Sequence, residues 1–477
     1  MTKLFWGSKP SIYLIGIGGS GMSGIAEVLL ATDFAVSGSD LAQSPTLERL
    51  EALGAKIFIG HRAEQVRGAT CVVVSTAVHA DNPECMEAQR LNIPIIPRAE
   101  MLAELMRLKM GIAVAGSHGK TTTTSMLGQF LQAMDPTVVV GGRLQHWNAS
   151  SIVGRGRAFV IEADESDRSF LKFSPVYSVV TNIDREHMDT YSDLGDIERT
   201  FLTFLNKTAF FGMNWICADC PQLRKLMPEV TKPTRTYGFH PDADLRIRTF
   251  DFRDGRSFFE LEEKGKSIGP FELSVPGKHN IQNATAAIGL SLALGMSVKE
   301  LKERTQSFVP ADRRLQLHAE NATTVIIEDY GHHPTEIRAT LEAVRVLYPK
   351  DHLRVIFQPH RYSRTKALLH EFAPSFSGLC NDLWILPVYA AHEAPIPGAD
   401  SEALRATFNT NSSTPSEVRS LDHVPMAAEI FSTKKKDARE IILILGAGPL
   451  TSLAHQLAEC VRLEEENRID ELRHHQG

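Results

Sequence analysis

The stretch Gly116-Ser-His-Gly-Lys-Thr-Thr most plainly specifies chemistry. It follows the apolar run 111–115 and precedes a helical pattern. That setting suits a phosphate-binding loop. Gly116 and Gly119 open the turn, and backbone N–H groups cradle phosphate oxygens. Lys120 meets the outer phosphates, and Thr121 presents a hydroxyl to Mg²⁺. Val114 stands where the longer GxxxxGK[ST] form has its first glycine.

The next strand-like run closes on Glu162-Ala-Asp-Glu-Ser-Asp, four carboxylates within six residues. Such a cluster repels itself unless a cation is present, and Mg²⁺ takes a few carboxylates together with phosphate oxygens and water. Asp164 and Glu165 are the candidate metal residues, with a solvated acidic loop as the alternative. A further strand ends at Asn182-Ile-Asp-Arg-Glu-His-Met-Asp. His187 there is either a metal or phosphate ligand or an ordinary structural histidine.

Nearer the N-terminus, Gly16, Gly18 and Gly21 form GxGxxG directly after a strand-like run, and Asp40 follows Gly21 by nineteen residues. Glycine lets backbone approach a pyrophosphate, and the next helix offers N–H groups and the positive end of its dipole. Taken alone, the motif favours a nicotinamide or flavin nucleotide, with Asp40 on the ribose. Another phosphate site is the alternative. A hydride-transfer enzyme would leave the lysine loop and the acidic cluster without a task.

Apolar runs alternate with helical patterns along the chain, which implies α/β units with parallel sheets. Strand-like runs begin at Ile12, Ala35 and Cys71, and a helical stretch covers 99–107. A second nucleotide-type unit opens at Gly111, with strands at 158–162 and 177–181. A strand-rich passage spans 235–275, and a helix follows over 280–294. Residues 308–312 read as a linker. Beyond it, runs at 323–327, 353–357, 383–387 and 441–445 suggest a third doubly wound unit. The predicted organisation is three α/β domains: Rossmann-like over 1–107, P-loop ATPase-like over 108–310 and Rossmann-like over 311–477. Residues 396–420, rich in Ser, Thr, Asn and Pro, read as loop. The tail from Glu464 reads as fraying, and Lys434, Lys435 and Lys436 as a solvated loop.

Composition narrows the function classes. The 477 residues are 43% hydrophobic and 23% charged, as in ordinary globular proteins. A net charge of −6 gives no support for nucleic-acid binding. No uncharged apolar run reaches the ~18 residues of a membrane span, so no stable membrane association is expected. The glycines among residues 12–26 suit a strand–turn–helix better than a signal peptide. Six cysteines make no disulfide framework, and the Cys217–Cys220 CxxC has no second pair to complete a zinc site. A reducing cytoplasm fits this usage.

Taken together, the motifs resemble the Mur ligase family of ATP-dependent amide-forming enzymes, over nearly the whole chain. The strings that carry the resemblance are Gly16-Ile-Gly-Gly-Ser-Gly-Met-Ser-Gly, the lysine loop, the two acidic motifs, Pro276-Gly-Lys-His-Asn-Ile-Gln-Asn, Asp329-Tyr-Gly-His-His-Pro-Thr-Glu and His360-Arg-Tyr-Ser-Arg. Within the family the alanine-adding branch matches best. A branch that recycles a whole peptide is the alternative, and a non-catalytic nucleotide binder would not need all these groups.

The resemblance implies that ATP and Mg²⁺ are used to join L-alanine to the lactyl carboxylate of UDP-N-acetylmuramate through an acyl phosphate. It assigns Gly18, Gly19, Ser20, Gly21, Met22 and Asp40 to the UDP substrate rather than to NAD. Gly116, Ser117, His118, Gly119, Lys120, Thr121 and Thr122 go to the ATP phosphates. His279, Asn280 and Asn283 lie beside the adenine, and Arg314 and Asp329 also contact the nucleotide. Lys120, Glu165 and His187 form the catalytic set, with Thr121, Glu165 and His187 at the metal. Tyr330, His332, Arg361 and Arg364 surround the alanine. The arginine pair also has a physical reason: it follows a strand-like run, where ligands sit in α/β folds, and guanidinium clamps a carboxylate well. Two departures from the family pattern are Glu328 before Asp329 and Leu315 after Arg314. Lys207 is given no metal role. The oligomer is left at monomer or homodimer.

Overall fold

A computed structural model describes residues 9–75, 78–147, 149–408, 415–435 and 438–474. Three sheets follow one another along the chain. The first is all parallel, in the spatial order Lys56–Ile59, Ala35–Asp40, Ser11–Ile15, Cys71–Val74, Ile95–Pro97. Two of these strands, Lys56–Ile59 and Ile95–Pro97, are too short and too exposed to leave an apolar run in the sequence.

The second sheet has ten strands. Its centre is parallel, with Met110–Ala115 between Tyr177–Val180 and Ala158–Glu162. Met110–Ala115 is buried almost throughout, as a central parallel strand covered on both faces must be. The strand-rich passage resolves into Thr234–Gly238 and the antiparallel set Leu245–Arg253, Arg256–Glu263 and Lys266–Leu273. The third sheet has six strands, parallel except for Gln316–Glu320 at one edge. Its strand Glu440–Leu445 sends Ile441, Leu443 and Leu445 to one apolar layer and Ile442 and Ile444 to the other, the period-two alternation of a strand covered on both sides. One apolar core joins the first two sheets, from Ile12 to Ala311, and a smaller cluster that includes Tyr13, Ile15 and Val72 packs against the first sheet.

The fold corrects three sequence expectations. Residues 396–420 are not all loop: Ser401–Arg405 is a helix capped by Asp400, and Glu417–Ser420 is an edge strand. Polar composition hid them because both are short and half-exposed; residues 409–414 lie outside the described set. The tail does not fray at Glu464, because the helix Thr451–His474 runs through it and Glu464 accepts hydrogen bonds from Asn321 and Thr323. Lys434 is not solvated either. Its side chain is 10% exposed, pairs with Glu464 and donates to Thr324 Oγ1 at 2.9 Å. Lys436 lies outside the described residues.

Candidate functional site

Three adjacent parallel strands, Ala158–Glu162, Met110–Ala115 and Tyr177–Val180, end side by side. Their carboxyl ends deliver the acidic motif, the glycine loop and the 182–187 segment to one place, where α/β sheets bind ligands. The glycines of the loop are sterically required. Gly116 has φ +134°, and a Cβ there would lie 2.1 Å from Thr181 Oγ1. Gly119 has φ +82° and would meet Asn283 Oδ1 at 2.7 Å. Gly119 caps the helix Lys120–Phe130, whose free N–H groups and dipole favour an anion.

Lys120 Nζ donates to Gly116 O at 2.7 Å, Ser117 O at 3.1 Å and Glu165 Oε1 at 2.9 Å. Burial opposes its charge, but Glu165, Asp164, Glu186 and Glu162 outweigh burial and raise its pKa. Glu165 is pushed up to about 8, first by burial and then by Asp164 and Glu186, against the pull of Lys120. Glu165 Oε2 is buried without a hydrogen-bond partner. His187, which has a left-handed φ of 56°, brings Nε2 within 3.7 Å of Glu165 Oε1 and 3.8 Å of Glu186 Oε2. Burial, then Lys120 and Arg364, lower the pKa of His187, which favours the neutral imidazole that a metal requires. Glu165, Glu186 and His187 each offer a ligand atom within 4.8 Å of the others. An orphaned carboxylate oxygen, a neutral imidazole and a neighbouring phosphate loop fit a divalent cation. Thr121 is held apart from this trio by Glu162, to which its hydroxyl donates at 2.9 Å.

A cavity of about 390 Å³ opens beside the loop. Of the expected nucleotide residues it is lined by His118, Gly119, Thr122, His279, Asn280, Asn283, Arg314 and Asp329. Cys217 and Cys220 also line it as free thiols. His279 is held neutral, its pKa lowered to about 4 by burial and by Arg314. Two expected ligands also serve the protein itself. Asn280 Nδ2 donates to Pro276 O at 2.7 Å, so one amide N–H braces the helix start while the residue still lines the cavity. Asp329 accepts from Leu315 N, Gly331 N and Thr340 Oγ1, which fixes the linker to the third sheet. The two departures fit this joint. Leu315 takes φ +47°, and buried Glu328 accepts from Arg313 Nε at 2.7 Å.

The amino-acid candidates come from the third sheet. Tyr330 lies under both Arg313 and Arg314, and His332 packs edge-on against it. Arg361 is held by Glu393 at 2.7 Å and Asp189 at 3.0 Å. Arg364 Nη2 donates to Glu186 Oε1 at 2.9 Å. A second cavity, of about 190 Å³, lies between Glu186, His187, Met188 and Arg361, Arg364, Leu368.

The first sheet's candidates sit apart from these groups. Gly18 N donates to Asp40 Oδ2 at 2.8 Å, so Asp40 holds the glycine loop directly. Gly19 caps the helix Ser20–Ala31, and Arg98 lies across Gly21. The Met22 side chain is buried in the apolar core, and its N–H donates to Gly19 O at 2.9 Å, so what it offers the loop is backbone. Nothing is described of the Ser20 side chain.

Sequence reasoning missed the groups that join the second sheet's unit to the third. Asp184 Oδ2 accepts from Thr335 Oγ1 at 2.7 Å and lies 2.9 Å from His118 Nε2. His118 Nδ1 is 3.4 Å from Glu336 Oε1, and its ring packs against His333 at 4.7 Å, tilted by 39°. Glu186 touches both Arg364 and His332. The signals were present but ambiguous. Glu336 stands three residues after His333 and forms a capping box with it, and Glu186 neighbours His187.

The sequence matches the family descriptions "Mur ligase family, catalytic domain" over residues 11–110, "Mur ligase middle domain" over 114–291 and "Mur ligase, glutamate ligase domain" over 313–448. It is 47% identical over 465 residues to a UDP-N-acetylmuramate–L-alanine ligase of Koribacter versatilis, covering 94% of this chain and 96% of that one. A protein of the same name from Solidesulfovibrio magneticus is 50% identical over 395 residues, covering 82% and 86%. The crystal structure of a UDP-N-acetylmuramate–alanine ligase from Thermotoga maritima superposes with a TM-score of 0.76 at 26% identity, covering 95% of this chain and 99% of that one. A murein peptide ligase from Psychrobacter arcticus shares the fold, with a TM-score of 0.65 at 23% identity over 94% of this chain and 98% of its own.

Proposed function

The chain belongs to the Mur ligase family, and we propose that it joins L-alanine to the lactyl carboxylate of UDP-N-acetylmuramate, converting ATP to ADP and phosphate. One observation carries this reading. The phosphate-loop lysine and the arginine of the amino-acid pocket converge on neighbouring buried carboxylates, Lys120 on Glu165 and Arg364 on Glu186.

The lactyl carboxylate attacks the γ-phosphate of ATP and forms an acyl phosphate. Lys120 and the backbone N–H groups of residues 116–122 stabilise charge on the transferring phosphoryl group. Glu165 and His187 would hold Mg²⁺, with Thr121 turning from Glu162 toward it, and the ion would neutralise phosphate charge. The nucleotide base enters the larger cavity, beside His279 and Asn283. UDP rests on the loop Gly18–Gly21, which Asp40 fixes. The alanine amine then attacks the acyl carbon and phosphate leaves. We assign residues 1–107 to the UDP substrate, 108–310 to ATP and 311–477 to the amino acid. Closure of the last over the second keeps the acyl phosphate from water.

The cavity of about 190 Å³ supports a small amino acid over a peptide. Free thiols and nucleotide substrates fit a cytoplasmic reaction, and among the described residues no helix is long and apolar enough to cross a membrane. The test is competition between L-alanine and a tripeptide, read by product mass. The alanine adduct should dominate, and a dominant peptide adduct would make this a recycling ligase.

A further inference from the structure

The reaction needs a place for the positive end of alanine. We propose that Glu186 binds the ammonium group of the incoming amino acid, and that the Glu186–Arg364 ion pair is a template which the zwitterion replaces. The inference rests on the ligase reading above.

Glu186 and Arg364 are 6% and 10% exposed, and their charged atoms lie 2.9 Å apart. They come from different units: Glu186 follows the strand Tyr177–Val180 of the second sheet, and Arg364 lies in the helix Tyr362–Ala367 beyond the third sheet's strand His352–Phe357. Both line the smaller cavity. Removing one partner from a buried pair leaves an uncompensated charge. An amino acid avoids that penalty because it brings both signs. Its carboxylate takes the Arg364 guanidinium, its ammonium takes the Glu186 carboxylate, and the site stays neutral. Arg361 is held by two carboxylates, Glu393 and Asp189, whereas Arg364 meets Glu186 through Nη2 and donates to the neutral His360 carbonyl at 3.1 Å through Nη1. His332 Nε2 lies 3.6 Å from Glu186 Oε1, the oxygen that Arg364 also meets, and supports the carboxylate there. Met188, Ala367 and Leu368 supply apolar wall for a side chain no larger than the space permits. Because the two charges belong to two units, the amino acid bridges them as it binds.

The test uses the full-length chain with Glu186→Gln and Glu186→Asp. Initial rates are measured against L-alanine and against Mg²⁺, and acyl phosphate is trapped with hydroxylamine, an uncharged nucleophile that does not need the template. In Glu186→Gln the alanine KM should rise on the order of 30-fold or more, as for loss of one partner of a buried charge pair. It should rise far more than the Mg²⁺ requirement does. Hydroxamate formation should fall much less than alanine ligation, and Glu186→Asp, which keeps the charge, should recover most of the loss. A larger shift in the Mg²⁺ requirement would make Glu186 a metal ligand and overturn the proposal. So would equal behaviour of the two variants. Failure of the wild-type chain to form hydroxamate would overturn the ligase reading, and this inference with it.

Discussion

Lys120 touches two loop carbonyls and a carboxylate, and these contacts fix its ammonium beside the glycine loop, where the proposed reaction needs a cation for the outer phosphates. A shorter side chain would leave both the loop and the transferring group without a cation. Lys120→Ala should therefore lower phosphate release by about 10²–10³-fold, the usual effect of removing one preorganised charge from a transition state. Retained turnover would show that the loop does not hold the reacting phosphate. His118 makes a separate prediction. Burial lowers its pKa, but Asp184 and Glu336 dominate and hold it up to about 10, against 6.5 for an ordinary histidine. A raised folded-state pKa gives stabilisation that is full below about 6.5 and lost as pH climbs through about 10. The difference in Tm between wild type and His118→Gln should thus shrink across that window. A difference constant with pH would mean that the imidazolium is not what Asp184 and Glu336 bind.

Among the elements, the glycine-capped helix Lys120–Phe130 is the most demanding. Alanine at Gly119 would enter a left-handed conformation, at about 1–2 kcal/mol, and would collide with Asn283. Gly119→Ala should weaken ATP binding by about tenfold or more, measurable by titration calorimetry; unchanged affinity would remove the loop from the nucleotide site. This element was legible because its glycines, lysine and flanking apolar run all serve one local geometry. The strands Met110–Ala115 and Glu440–Leu445 were legible for a similar reason, since burial on both faces forces continuous apolar residues. The helix Ser401–Arg405 and the strand Glu417–Ser420 were not, because short half-exposed elements take polar residues and resemble loops. Asn280 shows a different limit. The motif locates it at the nucleotide cavity, but only coordinates show that its amide is used on Pro276.

At the scale of the whole molecule, the seam between the second and third units is polar and specific. Asp184 meets Thr335, Asp189 meets Arg361, and Glu186 meets Arg364. The sequence singles out the two arginines but not these long-range pairs, because Asp184, Glu186, Asp189 and Thr335 each resemble solvated residues. In the proposed reaction the seam would shield the acyl phosphate, which water would otherwise hydrolyse. Thr335→Val removes a hydrogen bond to a charged group, worth about 1.5–3 kcal/mol, and should loosen closure. The ratio of phosphate released to alanine adduct formed should then rise above that of wild type. An unchanged ratio would mean that this contact does not guard the intermediate.

The central claim is a single coupled reaction. The most direct measurement is phosphate release by the wild-type chain with ATP, Mg²⁺ and UDP-N-acetylmuramate, with and without L-alanine, with the product weighed by mass spectrometry. Alanine-dependent phosphate, accompanied by the mass of UDP-N-acetylmuramoyl-alanine, is the predicted result. Phosphate release indifferent to alanine, with no new mass, would contradict the account.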